Sequence, residues 1–359
     1  MSSANDKRLY SVDALRGFDM LLIIGLGSIL WNVGALHSGS SWGRGLQAQM
    51  GHAAWEGLHA YDLIFPVFVY ISGVCMNFSQ RRQLSEGRSN LRLSGKMWLR
   101  ALILVVLGWL VNGPLVWELA NMRLASVLGL IGISGALGGT LALLLRSNWR
   151  LAFATLAILL GVWAAQHWGG DYTPRGYVNA QIDALYCPGK LYGGSYDPEG
   201  PLCIISATAL SLLGYLSGRV FSNSLSAARR VCILLGSGIA LLAVGLLAGP
   251  VIKNLWTPCF VLASAGVGAI LLGLFHLLCD VLHWRAWCYP LRVVGSNALF
   301  IYLLTNLVDL SKLTSRLFGG TLQALLPADW QGIAYSSAYL LLAWLLCFFL
   351  YRRGVFIRV

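Results

Sequence analysis

A chain of 359 residues that is 57% hydrophobic and 11% charged, with a mean hydropathy of +0.68, has too few polar side chains to clothe a water-soluble globule. Its apolar surface needs lipid, and in hydrocarbon every backbone N–H and C=O must pair internally, which makes the long apolar runs helices. The net charge of +12 comes in short clusters between those runs rather than along one polar face, which favours helix orientation over nucleic-acid binding as its cause.

Runs near the roughly 20 residues that span a bilayer predict an all-α fold, a polytopic membrane helical bundle of about ten transmembrane helices. In chain order they cover 14–35, 60–80, 97–113, 122–145, 149–166, 203–220, 229–249, 255–280, 290–310 and 331–351. Asp13 and Arg16 precede the first run and no small-residue cleavage site follows it, so it reads as a retained span. The basic clusters fall mostly on one side: Lys7, Arg8 and Arg16, the stretch from Arg81 to Arg100, Arg146 and Arg150, Arg219 to Arg230, Arg285 and Arg292, and Arg352 to Arg358. That bias puts both termini in the cytoplasm. No internal repeat or domain boundary is evident, so one transmembrane domain is expected over 1–359.

Two non-cytoplasmic segments, about 36–59 and 167–202, are long and chemically mixed. The second carries Asp171, Arg175, Asn179, Asp183, Lys190, Asp197 and Glu199 between Gly, Pro and Tyr residues, and it reads as ordered. Loops of this length are usually functional. Chemistry is therefore expected on the non-cytoplasmic face.

The densest polar cluster is HAAWEGLHAYDLIFP at 52–66. On a helix, His52, Trp55, Glu56 and His59 would share a face, with Asp62 three residues further on. A histidine can take a proton from an amine or hydroxyl, and a carboxylate behind it fixes its tautomer and raises its basicity. The same residues also suit interfacial anchoring. Asp62 is the more telling, because a carboxylate leading into LIFPVFVYISG is costly unless paired.

Asp197 and Glu199, in SYDPEGP, stand just outside the sixth run, where they could bind sugar hydroxyls or an ammonium group, or cap the helix. Lys253, Asn254 and Trp256, in KNLWT, mark the outer mouth of the eighth, where a lysine can simply snorkel. Asn297, in GSNALFIY, lies inside a span, a usual place for a helix-packing hydrogen bond. Arg81 and Arg82 open a basic loop that could hold anionic lipid or the phosphates of a soluble donor, although positive-inside topology also explains it. The eight cysteines include no CxxC pair and indicate no metal site. Cys187 and Cys203 could bridge or stay free, which the sequence leaves open.

Taken in order, RLYSVDALRGFDML at 8–21, HAAWEGLHAYDLIFP at 52–66, the DPEG turn, KNLWT at 253–257 and GSNALFIY at 295–302 resemble the transmembrane acyltransferase family of heparan-α-glucosaminide N-acetyltransferase and its bacterial homologues. The resemblance covers nearly the whole chain. Single pieces such as DALRG recur in other acyltransferases; the ordered set is specific. It implies acetyl transfer from cytoplasmic acetyl-CoA, across the membrane, to an amino sugar or glycan on the other side. By the same resemblance His52 is the catalytic histidine and Asp62 its aspartate. Trp55, Glu56, Asp197, Glu199 and Asn297 are carried as substrate-binding candidates, and Lys253, Asn254, Trp256, Arg81 and Arg82 as candidates for holding the donor.

The chain departs from the lysosomal pattern at two places: Asn32 is out of register with that enzyme's asparagine late in the first span, and Glu56 replaces an asparagine. The resemblance and the short loops imply a multi-pass protein of the bacterial inner membrane, with acetyl-CoA, the glycan acceptor and lipid as partners and no nucleic acid. A homodimer is carried as an expectation. Rival readings from other classes are an amino-sugar transporter, for which Asp62, Asn297 and Tyr302 would line a polar pathway, and a structural partner without turnover.

Overall fold

The computed structural model describes residues 9–113, 121–173, 176–222 and 224–357. Lys7, Arg8, Arg175 and Arg358, used above, lie outside them. The principal helices are α1 (Tyr10–Leu36), α2 (Ile64–Ser85), α3 (Asn90–Asn112), α4 (Val127–Leu145), α5 (Asn148–Trp168), α6 (Val178–Tyr186), α7 (Pro201–Val220), α8 (Ala227–Leu247), α9 (Pro258–Val281), α10 (Tyr289–Gly295), α11 (Ala298–Leu307) and α12 (Ala328–Arg352). Among the described residues nine helices are long and apolar enough to cross a membrane, α2 being counted with the 3-10 turn Ala60–Leu63 before it. The expected helical bundle is observed, and no strand occurs among the described residues.

Local sequence sets the helix starts. The Ser89 hydroxyl accepts from the Arg92 amide at 3.4 Å, and that of Ser126 from Gly129 at 3.0 Å, which caps α3 and α4. Pro201 opens α7, where its missing N–H leaves nothing unpaired.

Two expectations need adjusting. The run 290–310 is two helices, α10 and α11, broken at Ser296 and Asn297. The residues from Gly51 to His59 are not helical, so His52, Trp55, Glu56 and His59 share no helix face. Gly57 has φ +122°, which no right-handed helix contains, and the Asp62 carboxylate draws the Ala53 and His59 amides away from any helical ladder.

The chain divides into two compact units. The first holds the residues up to Gln47, Ser226–Leu235 and those from Ile270. Within it α1 crosses α10 so closely that a Cβ on Gly17 would lie 1.7 Å from the Leu291 carbonyl oxygen. Asp280 accepts from the amides of Tyr10 and Ser11 at 3.2 and 3.3 Å and so caps the start of α1. Arg285 and Arg292 lie 4.2 and 3.9 Å from the centre of the Tyr10 ring.

The second unit runs from Ala48 to Leu225 and from Gly236 to Ala269. Its core is the packing of α2 on α7, at a separation that only glycine permits: a Cβ on Gly73 or Gly214 would meet the Ser211 or Tyr70 carbonyl oxygen at 2.0 Å. Because successive spans alternate in direction, the segments 48–63, 121–126, 176–200 and 248–257 gather at one end of this unit. The basic segments 81–100, 146–150 and 219–222 gather at the other.

Candidate active site

Asp62 sits in the 3-10 turn that feeds α2 and is 1% exposed. Such a carboxylate is tolerable only if its oxygens are occupied. Oδ2 accepts from the amides of Ala53 and His59, both at 3.1 Å, and Oδ1 from His52 Nδ1 at 2.7 Å. The carboxylate thereby folds residues 52–59 back over the helix start. This brings His52 onto Asp62 without the helical spacing expected from sequence.

The pairing fixes the imidazole chemically. With Nδ1–H donated to an ionised, buried carboxylate, the proton resides on Nδ1 and the lone pair on Nε2. The His52 side chain is 53% exposed, so that lone pair is accessible. Tyr61 flanks the ring at 5.0 Å between centroids, and His59 Nδ1 is bonded to the Gly51 carbonyl oxygen at 3.0 Å.

Lys253 completes the cluster. Its Nζ lies 2.9 Å from His52 Nδ1, 3.3 Å from Nε2 and 3.4 Å from Asp62 Oδ1. Since Nδ1 is committed to Asp62, the lysine is best understood as a cation against the carboxylate with its remaining N–H bonds near Nε2. Burial pushes the Lys253 ammonium below its usual range, while Asp62 and Glu199 pull it back.

The KNLWT turn is built to hold this lysine in place. Gly57 N–H donates to the Val251 carbonyl at 2.9 Å, and Glu56 forms a backbone bridge with Ile252, so the histidine loop is stitched to the lysine turn. Trp256 adopts φ +48° and is 1% exposed, its indole packed against Phe65 and Phe260. Thr257 Oγ1 accepts from the Ile252 and Phe260 amides at 3.1 and 3.4 Å, and Gln166 Nε2 donates to the Leu255 carbonyl at 2.8 Å. The Asn254 amide reaches Tyr196 Oη at 3.4 Å.

Beside the cluster, Trp55 Nε1 donates to the Tyr172 carbonyl at 2.7 Å, and its ring packs on Tyr196 and Tyr177 at 5.6 and 5.9 Å. The two long segments singled out in the sequence therefore meet here. The Glu56 side chain is exposed.

Asp197 and Glu199 belong to a neighbouring network organised by Arg123, a residue that sequence reasoning did not select for the site. Arg123 donates to both Asp197 oxygens, at 2.7 and 2.6 Å, and also bonds Glu199. Asp197, fully buried, further accepts from the Tyr192 and Glu199 amides and donates its own amide to Asp183 Oδ2 at 2.9 Å. One guanidinium cannot neutralise two buried carboxylates. Burial and the Asp197 charge push Glu199 up, to about 8, whereas Asp197, despite the upward push of burial, is held low by Arg123. Burial also raises Asp183 to about 6, and its Oδ1 has no hydrogen-bond partner among the described residues.

Asn297 and Arg82 are held by other contacts. Asn297 belongs to the first unit, where Nδ2 donates to the Val355 carbonyl at 3.1 Å and Oδ1 accepts from Ile357 N–H at 2.9 Å, tying down the chain after α12. Arg82 pairs with Glu86 at 3.0 Å at the far end of α2, and Arg81 is exposed beside it. Cys187 and Cys203 are both free thiols.

No family model matches the chain. Among curated proteins it is similar to the heparan-alpha-glucosaminide N-acetyltransferase of Homo sapiens, 25% identical over 370 residues, and to that of Mus musculus, 24% identical over 371. Each match covers 84% of this chain and 53% of the relative, so the chain spans about half the length of the curated relatives it matches. A histidine paired with a buried carboxylate next to a lysine is an arrangement that can accept and return a proton.

Proposed function

We propose that the protein is a multi-pass membrane acetyltransferase that moves an acetyl group from acetyl-CoA to an amino sugar or related glycan at the non-cytoplasmic face of a bacterial inner membrane. The observation that carries the reading is the His52–Asp62–Lys253 cluster: a 2.7 Å bond from Nδ1 to a buried carboxylate, with an ammonium 3.3 Å from the other ring nitrogen, Nε2. The kinship with N-acetyltransferases supports it.

In this mechanism His52 Nε2 accepts the proton of the acceptor amine as its nitrogen attacks the thioester carbonyl. Asp62 stabilises the imidazolium that results and keeps the tautomer fixed. A group held at Nε2 lies within hydrogen-bond reach of Lys253 Nζ, so the ammonium faces the oxygen on which negative charge develops. Collapse breaks the C–S bond, and the proton returns from Nε2 to the departing thiolate. The products are the acetamide and the free thiol, and the histidine is regenerated.

Trp55, with Tyr196 beside it, is proposed as an apolar face for a sugar ring. Arg81 and Arg82, at the other end of α2, are proposed for the donor's phosphates. The test supplies purified protein with radiolabelled acetyl-CoA and glucosamine. Label is expected in an amide product; absence of transfer across a panel of amines and hydroxyls overturns the reading.

A further inference from the structure

The end of the second unit opposite His52 contains a cavity of about 420 Å³ between the ends of α2, α4, α5 and α7. Three arginines line it, Arg81, Arg146 and Arg219, and no carboxylate does. The one acid in the adjoining segments, Glu86, is engaged by Arg82 and Arg88 at 3.0 and 3.4 Å. Among the described residues, none of the three lining arginines forms an ion pair.

The walls also hold the donors in place. Arg219 bonds the Asn148 side-chain oxygen and lies 5.1 Å from the centre of the Tyr215 ring, which fixes its guanidinium against the wall. Arg146 ends α4 with φ +39°, a conformation that side chains other than glycine rarely adopt. Asn77 is 1% exposed; its Oδ1 accepts from Ser222 at 3.3 Å, but Nδ2 has no hydrogen-bond partner among the described residues. Topology alone would place arginines on this surface. It does not require a concave site, nor a buried amide whose N–H bonds lack an acceptor.

We infer that this cavity is a phosphate-binding site, in which Arg146, Arg219 and Arg81 neutralise a phosphate group and Asn77 Nδ2 donates to one of its oxygens. Three guanidiniums around one hollow repel one another until an anion enters, and their forked donors match phosphate oxygens. Two sources share that chemistry: the nucleotide of coenzyme A and the headgroup of an anionic phospholipid. The nucleotide case rests on the acetyl-CoA reading, with the cavity and His52 about 25 Å apart along α2. The lipid case is independent of it.

The full chain, purified in detergent, is titrated with adenosine bisphosphate, the phosphorylated end of coenzyme A. In parallel it is examined by native mass spectrometry with phosphatidylglycerol. Both measure binding without an acetyl group or acceptor, so they are separable from failure of the transferase reading. Saturable binding of either probe is expected, weakened about tenfold for each lost arginine in Arg146→Gln and Arg219→Gln. Arg150→Gln, with the same charge change outside the cavity, should bind as wild type. Arg81→Gln, at an exposed helix end, provides the same test if the other variants fold poorly. Loss of bisphosphate binding identifies the nucleotide as ligand, and loss of lipid alone identifies the headgroup. No saturable binding of either probe, or equal weakening by Arg150→Gln, overturns the inference.

Discussion

Replacing Asp62 with asparagine exchanges one carboxylate oxygen for NH2 and tests the fixed tautomer directly. One oxygen of Asp62 serves two backbone donors, Ala53 and His59, both at 3.1 Å, and the other serves His52 Nδ1 at 2.7 Å. In Asp62→Asn the amide oxygen must face one side and the NH2 the other. Turning the NH2 toward the backbone would leave two buried N–H groups unpaired, at about 1–3 kcal/mol each. The oxygen therefore stays with Ala53 and His59, and the NH2 donates to His52 Nδ1. That forces the ring proton onto Nε2 and removes the base. A wrong-tautomer histidine costs on the order of ten-thousandfold in kcat, or about 5 kcal/mol of barrier. The fold should lose only about 1–3 kcal/mol, the difference of one charge-assisted bond. Steady-state acetyl transfer and thermal unfolding of the same preparation give both numbers. Activity within tenfold of wild type would refute the assignment of Nε2 as the base.

Three further outcomes follow from the same geometry. Lys253→Met should lower kcat about a hundredfold with little change in KM, as expected for a group that acts on the developing oxyanion; an effect on KM alone would reassign it to binding. Asp183 is held protonated in the fold up to about pH 6 but ionises near 4 when unfolded, so stability should fall as pH rises through that window, by about 3 kcal/mol. Thermal unfolding of Asp183→Asn should lack that part of the slope; an unchanged pH dependence would contradict the burial argument. Gly73→Ala pushes a Cβ to 2.0 Å from the Ser211 carbonyl oxygen and should destabilise the α2–α7 crossing by about 1–3 kcal/mol, read as a lowered Tm, whereas a neutral result would show that the helices part freely.

The spans were readable because a bilayer demands long apolar runs, and α1 to α5, α7 to α9 and α12 each coincide with one. What escaped the sequence depended on contacts far apart in the chain. His52 and Asp62 were named together from the resemblance, and the helix face expected for His52, Trp55, Glu56 and His59 is absent: the loop folds back because the Asp62 carboxylate takes two backbone amides, and periodicity carries no trace of that. Asn297 looked like a polar residue inside a span, yet the helix breaks there and its side chain holds residues 355 and 357. Arg123 was overlooked because its partners lie 74 and 76 residues away, and a lone arginine at a helix end has an ordinary topological explanation. Lys253 was chosen for its motif. Its place against His52 depends on Gly57, Ile252 and Thr257, which no single stretch of sequence brings together.

In the proposed reaction His52 moves the proton, and single-turnover transfer from radiolabelled acetyl-CoA to glucosamine, run on wild type and His52→Ala, measures that step. Wild type is expected to give a labelled acetamide and His52→Ala a rate at least a hundredfold lower, in a variant whose Tm falls modestly because Asp62 loses the His52 donor but keeps the Ala53 and His59 amides. Equal rates in the two proteins would contradict it.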